Sequence, residues 1–339
     1  MTTTTPTTPD LIEAPSQTRA RRERRPSGGW RTVARKEFGD HVHSVRFVIL
    51  VVLVALAGLA AVHSASGPIR DAANDATQTP SIFLYLFTLS PDRVPAFHEF
   101  LGILGPLLGI AFGFDAISGE RSQRTLPRLA SQPIHRDEII NGKFVAGIGA
   151  IAFTIACLIA VVGGYGALRL GVGPTAGDFV RIVAFFVVAV VYIALWLALS
   201  LLLSVVCRRA ATAALAAIAI WLVLTMFAGL IAGVIADSMH SVNADSTTEQ
   251  VLANARTELN VRRLSPDQLY KEATGVLLNP SRQSTGIVLL SSDDGALPSS
   301  LPLDQSLILA WWQLVALVAG TVVLFAGAYV AFMRQEVRA

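Results

Sequence analysis

A polar run at residues 115–143 carries the side chains in this sequence that are best suited to binding a partner. It lies between two strongly apolar segments and contains five basic and four acidic residues. The basic ones are Arg121, Arg124, Arg128, Arg136 and Lys143, and the acidic ones are Asp115, Glu120, Asp137 and Glu138. Interspersed charges of this kind suit docking onto a complementary protein surface. They suit equally a solvated loop whose arginines lie among anionic lipid headgroups, so the charges alone leave both interpretations open. We call this run the polar loop.

The polar loop lacks the residues of a catalytic or nucleotide-binding site. Gly142-Lys143 is followed by phenylalanine, and an aspartate stands where a P-loop needs its first glycine. No His-Glu-x-x-His or Gly-x-Ser-x-Gly sequence occurs in the chain, so the metalloprotease and hydrolase motifs are missing. The two cysteines, Cys157 and Cys207, form no sequence cluster with each other or with histidine. We therefore predict that the chain is not an enzyme and holds no metal or cofactor.

Composition predicts that the elements holding the polar loop are membrane-spanning helices. Hydrophobic residues make up 53% of the 339 residues and charged residues only 15%, whereas soluble domains are roughly a quarter charged. A helix needs ~20 residues to cross the hydrocarbon core, and six apolar runs approach or exceed that length. They lie at about 47–63, 97–114, 144–168, 179–206, 211–236 and 307–333. The fold predicted is an all-α polytopic membrane protein with six transmembrane helices.

The distribution of basic residues predicts the orientation. With the N-terminus inside, 18 of the 27 Lys and Arg residues fall in inner segments and 9 in outer ones. Cytoplasmic loops carry the excess of Lys and Arg. We therefore expect a protein of the cell membrane whose two termini and polar loop lie on the cytoplasmic side. These flanking charges account for the sequence pI of about 9.1, and no nucleic-acid partner is predicted.

Four further segments are predicted from composition and periodicity. Residues 1–28 and 334–339 are cytoplasmic tails, the first of them disordered because it is rich in Thr, Pro and Arg. Residues 29–46 form an amphipathic interfacial helix in contact with membrane lipid. Residues 237–306 form a small helical extracytoplasmic cap between spans five and six. Its helices cover about 247–263 and run from Ser265-Pro266 to Asn279-Pro280.

Two observations inside the spans bear on transport. No charged residue lies near a span centre, which disfavours an ion-coupled secondary transporter, because such carriers place charges at the membrane midplane. Small residues interrupt the second and third spans. They indicate close helix packing or a hinge at Gly105-Pro106, where proline frees a backbone carbonyl.

The polar loop resembles the corresponding loop of ABC-2 type transporter permeases, especially those of the NosY-like branch. The similarity rests on Glu120-Arg121, Thr125-Leu126, Ser131-Gln132-Pro133, Arg136 and Gly142-Lys143. Two positions depart from the family pattern: Arg124 stands where glycine is usual, and Pro127 enters the helix that follows. The layout of a membrane-surface helix, six spans and an elaboration before the last span is similar as well.

This resemblance implies a function and a set of partners. In that family two permease halves pair, as a homodimer or with a paralogous half, and each binds a cytoplasmic ATPase through this loop. ATP and Mg²⁺ belong to the ATPase, whose closure rocks the halves and expels a substrate. The resemblance thus implies the permease subunit of an ATP-driven exporter, with the ATPase contacted by Glu120, Arg121, Arg124, Thr125 and Arg136. The alternative is a complex that moves no solute and transmits strain to an extracytoplasmic partner through residues 237–306.

Overall fold

The computed structural model of the chain describes residues 29–75, 82–90, 94–123, 135–171, 173–243, 245–280 and 301–335. Within these ranges the secondary structure is helical and contains no strand. Six helices are long and apolar enough to cross a membrane, which confirms the predicted all-α fold with six spans. The predicted tail at residues 1–28, residues 336–339 of the second tail and residues 124–134 of the polar loop lie outside the described residues.

The described helices are numbered in chain order. They are α1 (Gly29–Val42), α2 (Val45–Asp75), α3 (Tyr85–Thr88, after a 3₁₀ turn at Ile82–Leu84), α4 (Phe97–Gly113), α5 (Ser118–Ser122), α6 (Arg136–Leu170), α7 (Ala176–Val206), α8 (Ala210–Leu222), α9 (Ala228–Met239), α10 (Thr248–Arg262), α11 (Pro266–Leu278) and α12 (Leu303–Arg334). The spans are Phe47–Gly67, Phe97–Ser122, Arg136–Leu170, Ala176–Val206, Ala210–Met239 and Leu303–Arg334. The end of the bundle at which α1 packs is called the α1 end.

The third span begins earlier than its hydropathy predicts. Helix α6 starts at Arg136, so the last eight residues of the polar loop are its first two turns. The Glu138 carboxylate accepts a hydrogen bond from the backbone N–H of His135, at 3.2 Å, just before the helix. An acid at this position satisfies an N–H that the first turn leaves unpaired, and therefore a polar sequence extends the helix.

The bundle core is built on close contact between α4 and α7. Gly105, Gly109 and Gly113 recur every fourth residue and lie on the face of α4 that meets α7. A Cβ atom at Gly109 would lie 2.6 Å from the Ile193 carbonyl oxygen, and one at Gly113 would lie 2.9 Å from that of Leu197. Only glycine allows the two backbones to approach so closely, so these positions support the close-packing interpretation of the interrupted spans.

Pro106 leaves α4 unbroken because α7 supplies the missing hydrogen bond. Proline has no N–H to donate to the carbonyl four residues earlier, which here belongs to Gly102. The buried Tyr192 hydroxyl donates to that carbonyl at 2.8 Å. Helix α4 continues through the proline to Gly113. The hinge at Gly105-Pro106 stays a prediction, and in this conformation the freed carbonyl is satisfied.

Helices α10 and α11 form a helical hairpin, defined here as residues 248–278, at the end of the bundle opposite α1. Helix α10 packs along α9, with the Asn254 amide donating to the Asp237 carboxylate at 2.8 Å. Helix α11 instead packs between α4, α7 and α12, and its Tyr270 ring stacks on Tyr192 at 4.5 Å. The Ser265 hydroxyl at the tip donates at 2.6 Å to the Leu224 carbonyl, within a π-helical turn near the middle of span five.

The buried position of α11 changes the interpretation of this insertion in two ways. The helix is a core element, because both its apolar face and the carboxylates of Asp267 and Glu272 are buried. It also brings charge among the spans, which the span sequences alone did not show. Glu272 accepts from Arg263 at 3.0 Å and from Gln313 at 3.1 Å, and Asp267 pairs with Lys271 at 2.7 Å. Both acids therefore have structural partners.

Candidate functional site at the α1 end

The structure places three of the five predicted contact residues at the α1 end of the bundle. Glu120 and Arg121 lie on α5, and Arg136 is the first residue of α6. Arg124 and Thr125 lie outside the described residues. The three described residues share a junction of α1, α5, α6, α7 and α12, which we call the α1-end junction.

A buried serine from span four positions α5. Helix α4 ends at Gly113, and a turn leads to α5 at Ser118. The Ser204 hydroxyl oxygen accepts from the backbone N–H groups of Ile117 and Ser118 at 3.0 and 3.1 Å. These N–H groups would otherwise be unpaired at the start of a short helix. The start of the polar loop is therefore fixed to the end of α7.

A buried lysine joins three helices at this junction. The Lys143 ammonium lies 2.9 Å from Glu37 Oε1 on α1 and 2.8 Å from Glu120 Oε1 on α5. Its side chain is 5% exposed, while the two glutamates are 15% and 17% exposed. A buried ammonium needs carboxylate partners to offset its lost hydration. Glu120 therefore has a structural role within the chain, in addition to any contact with a partner.

Helix α1 is docked onto α6 by shape as well as by charge. A Cβ atom at Gly142 would lie 2.7 Å from the Val33 Cβ and 2.9 Å from the Trp30 carbonyl oxygen. The absence of a side chain at Gly142 therefore leaves room for α1. The first backbone N–H of α1, at Gly29, donates to the Glu138 carboxylate at 3.1 Å. The predicted helix at 29–46 is thus α1 and the start of α2, with Val33 on the buried side.

Electrostatics at the junction extend to a histidine on α1. The His41 ring packs on Phe112 with centroids 4.8 Å apart. Burial lowers the pKa of His41 below its usual value of 6.5, against an opposing effect of Glu37 and with a smaller lowering by Lys143. The neutral ring is therefore favoured in the folded protein.

Two predicted arginines converge on one residue at the end of span six. Arg121 donates through Nη2 to the side-chain oxygen of Gln335, and Arg136 donates through Nη1 to its backbone carbonyl at 3.1 Å. The Gln335 side-chain amide in turn donates to the Val205 carbonyl at the end of α7, at 2.7 Å. The two arginines, which flank residues 124–134, are thus fixed at a common point.

The sequence did not single out Glu37, Ser204 or Gln335. The charge of Lys143 beside an apolar run was a usable signal, because a cation at that position requires a nearby acid. It does not say which acid, and Glu37 is 106 residues away along the chain. Gln335 and Ser204 give no sequence signal, since neutral polar residues at helix ends are common.

Carboxylates at the α1-end junction make contacts within the chain. Glu37 and Glu120 bind the Lys143 ammonium, and Glu138 accepts from backbone N–H groups. Among the described residues no group of three or more His, Cys, Asp or Glu side chains is placed to hold a metal ion. The arrangement connects helices of the bundle to one another.

Comparison with known proteins shows similarity to a transporter family and to a curated permease. The family model described as "ABC-2 family transporter protein" matches residues 31–337. A curated relative, "Probable ABC transporter permease protein NosY" of Stutzerimonas stutzeri, is 29% identical over 145 residues, covering 38% of this chain and 45% of the relative. The aligned part thus spans less than half of that relative's length.

Proposed function

Because this chain belongs to the ABC-2 transporter family and is therefore a membrane subunit of an ABC transporter, we propose that it exports a substrate with energy from ATP hydrolysis. In this proposal a separate cytoplasmic ATPase subunit binds the polar loop and hydrolyses ATP. The chain itself contributes no nucleotide site. Both termini and the α1 end face the cytoplasm, in agreement with the excess of Lys and Arg in those segments. Two permease copies, or one copy and a paralogous half, complete the assembly.

The α1-end junction is the observation that carries this proposal. A loop that receives mechanical work must be attached firmly to the helices that it moves. Glu120 is joined to α1 and α6 through Lys143, and the start of α5 is held by Ser204. Movement of the loop by an ATPase would therefore displace several spans together.

The charges of Arg121 and Arg136 support docking in particular. Both guanidinium groups are bound by Gln335, and a neutral residue leaves their positive charge uncompensated at these contacts. An acidic patch on the ATPase would complement them.

The first test is reconstitution. We expect the chain to form a complex with an ABC ATPase of the same organism and to stimulate ATP hydrolysis in proteoliposomes. Lack of binding by every such ATPase would refute the proposal. Transport by the purified chain without an ATPase would instead revive the ion-coupled carrier.

The second test separates the internal role of Glu120 from contact with the ATPase. Glu120→Lys breaks the pair with Lys143, so loss of stimulation in that variant alone has two explanations. The triple exchange Glu37→Lys, Glu120→Lys, Lys143→Glu restores opposite charges at both contacts of residue 143 but keeps the reversed charge on α5. If Glu120 contacts the ATPase, stimulation stays low in the exchanged variant although its stability recovers. Recovery of both would assign Glu120 to the fold only.

One observation also favours the second function, transmission of strain without solute movement. Helix α11 is fixed within the bundle while α10 leaves Val251, Arg256 and Asn260 exposed, so the exposed face moves with the spans. Replacing these three residues by Ser, Glu and Lys should abolish binding of an extracytoplasmic partner in that case. Partner binding lost in the variant, with no export of solute by the wild-type complex, would support the second function. Loss of export in a folded variant would argue against it.

A further inference from the structure

We propose that Gln335 is a positioning residue, which fastens both ends of the polar loop to the end of span six and so distributes ATP-driven movement among the spans. The inference rests on the proposed function for its mechanical meaning, but the attachment itself can be tested without an ATPase. Gln335 follows α12 directly, and its backbone N–H still bonds to Phe332, at 3.3 Å.

The argument begins with the way in which one glutamine uses its polar atoms. Its side-chain oxygen accepts from Arg121, its backbone carbonyl accepts from Arg136, and its side-chain nitrogen donates to the Val205 carbonyl. Arg121 ends span two, Arg136 begins span three, and Val205 is at the end of span four. Four of the six spans therefore meet at a single residue.

The identity of the residue is suited to this task. An amide can accept from an arginine and donate to a carbonyl at the same time. A glutamate would accept from Arg121 but could not donate to Val205, whereas a lysine would lose the acceptor. Because glutamine is neutral, it adds no negative charge that would offset the two guanidinium groups. Their positive charge therefore stays available to an acidic surface.

The position of the attachment determines its effect. Residues 124–134 lie between the two arginines in the sequence, so force carried along the backbone from that part of the loop reaches the bundle through the segments that contain Arg121 and Arg136. Without Gln335, force at Arg121 would still reach α6 through Glu120 and Lys143, and Ser204 would still hold the start of α5 to α7, but the side-chain link from α5 to α12 would be lost. We therefore expect a change in coupling and little change in docking.

The first experiment uses hydrogen exchange on the purified chain in lipid nanodiscs. Gln335→Met keeps the length of the side chain but removes its amide, and we expect exchange of the α5 backbone amides to rise about tenfold, the factor for one charge-assisted hydrogen bond. Met333→Leu is the matched control, because Met333 is 43% exposed near the end of the same helix. Equal exchange in both variants would refute the attachment. Gln335→Glu, which retains the acceptor, should fall between them.

The second experiment measures coupling in the reconstituted complex. We expect Gln335→Met to bind the ATPase with unchanged affinity and to leave the KM for ATP unchanged, while the stimulated kcat falls severalfold. Faster exchange with unchanged kcat would reduce Gln335 to a structural role and overturn the proposal. If the wild-type chain itself neither binds nor stimulates an ATPase, the proposed function fails, while the exchange result still decides whether the attachment exists. Should Gln335→Met not fold, the same comparison is made with Gln335→Leu, which also lacks the side-chain amide.

Discussion

Replacement of Lys143 by methionine gives the most direct test of the α1-end junction. Methionine has nearly the length of the lysine side chain but no charge. The change would leave the carboxylates of Glu37 and Glu120 facing the same site, 15% and 17% exposed, without the ammonium that lies 2.9 and 2.8 Å from them.

The expected loss of stability follows from the burial of these groups. Removing one partner of a buried ion pair costs about 3–5 kcal/mol, because the remaining charge is left without compensation. The glutamates retain some contact with solvent, so we expect a loss near the lower limit, about 3 kcal/mol. Replacing all three groups by uncharged ones should cost far less, since replacing a whole buried ion pair by uncharged residues often changes stability little.

Equilibrium unfolding in mixed detergent and SDS micelles measures this difference. Lys36→Met is the matched control, because Lys36 is exposed on α1, and its effect should be within about 0.5 kcal/mol of zero. The triple variant Glu37→Gln, Lys143→Met, Glu120→Gln should recover most of the loss. The reasoning would be refuted if Lys143→Met unfolded like Lys36→Met, or if the triple variant were as unstable as the single one.

Three other predictions concern packing, the proline and pH, each measured by the same unfolding assay. Gly109→Ala should lower the free energy of unfolding by about 1–3 kcal/mol through overpacking. Gly233→Ala is the control, because no atom lies within 4 Å of the added Cβ, and it should leave stability unchanged or raise it by up to about 1 kcal/mol. Equal effects of the two variants would contradict the close-contact argument. Tyr192→Phe should cost about 1–3 kcal/mol by leaving a buried carbonyl unpaired, and Pro106→Ala, which restores an N–H, should reduce that cost. Because the pKa of His41 is lowered on folding, the unfolded chain binds more protons, so stability should fall as the pH drops below about 6.5 toward the folded pKa; His41→Gln should remove that part of the pH dependence.

Features with a strong local signal were predictable from the sequence. Six spans follow from hydropathy, because the thickness of the hydrocarbon core fixes the length of an apolar helix. The helices of the hairpin were also predicted, the first from its apolar side and the second from Ser265-Pro266, a typical helix start. The first helix is capped by Thr247, whose hydroxyl accepts from the Gln250 N–H. Ser265 has the predicted position, but its hydroxyl donates to Leu224 in span five instead.

Features that depend on contacts between distant segments could not be predicted. The sequence of α11 has an amphipathic pattern, which suits a helix at the membrane surface as well as a helix in a bundle. Its burial depends on the Tyr192 ring in span four and on Gly102 in span two, against which Tyr270 packs. In the same way, no local pattern connects Lys143 to Glu37 or Arg121 to Gln335. The family resemblance indicated which loop matters, but the internal partners of its charged residues required the structure.

The pattern of contacts indicates which parts of the chain would move together during transport. Helices α4 and α7 touch through their backbones at Gly109 and Gly113, and interiors with contacts this close deform little. The carbonyl that a bend at Pro106 would use is already bonded to Tyr192, and Tyr270 packs against the same pair of helices. At the other end Gln335 connects spans two, three, four and six. We therefore expect these four spans and α11 to rotate as one body.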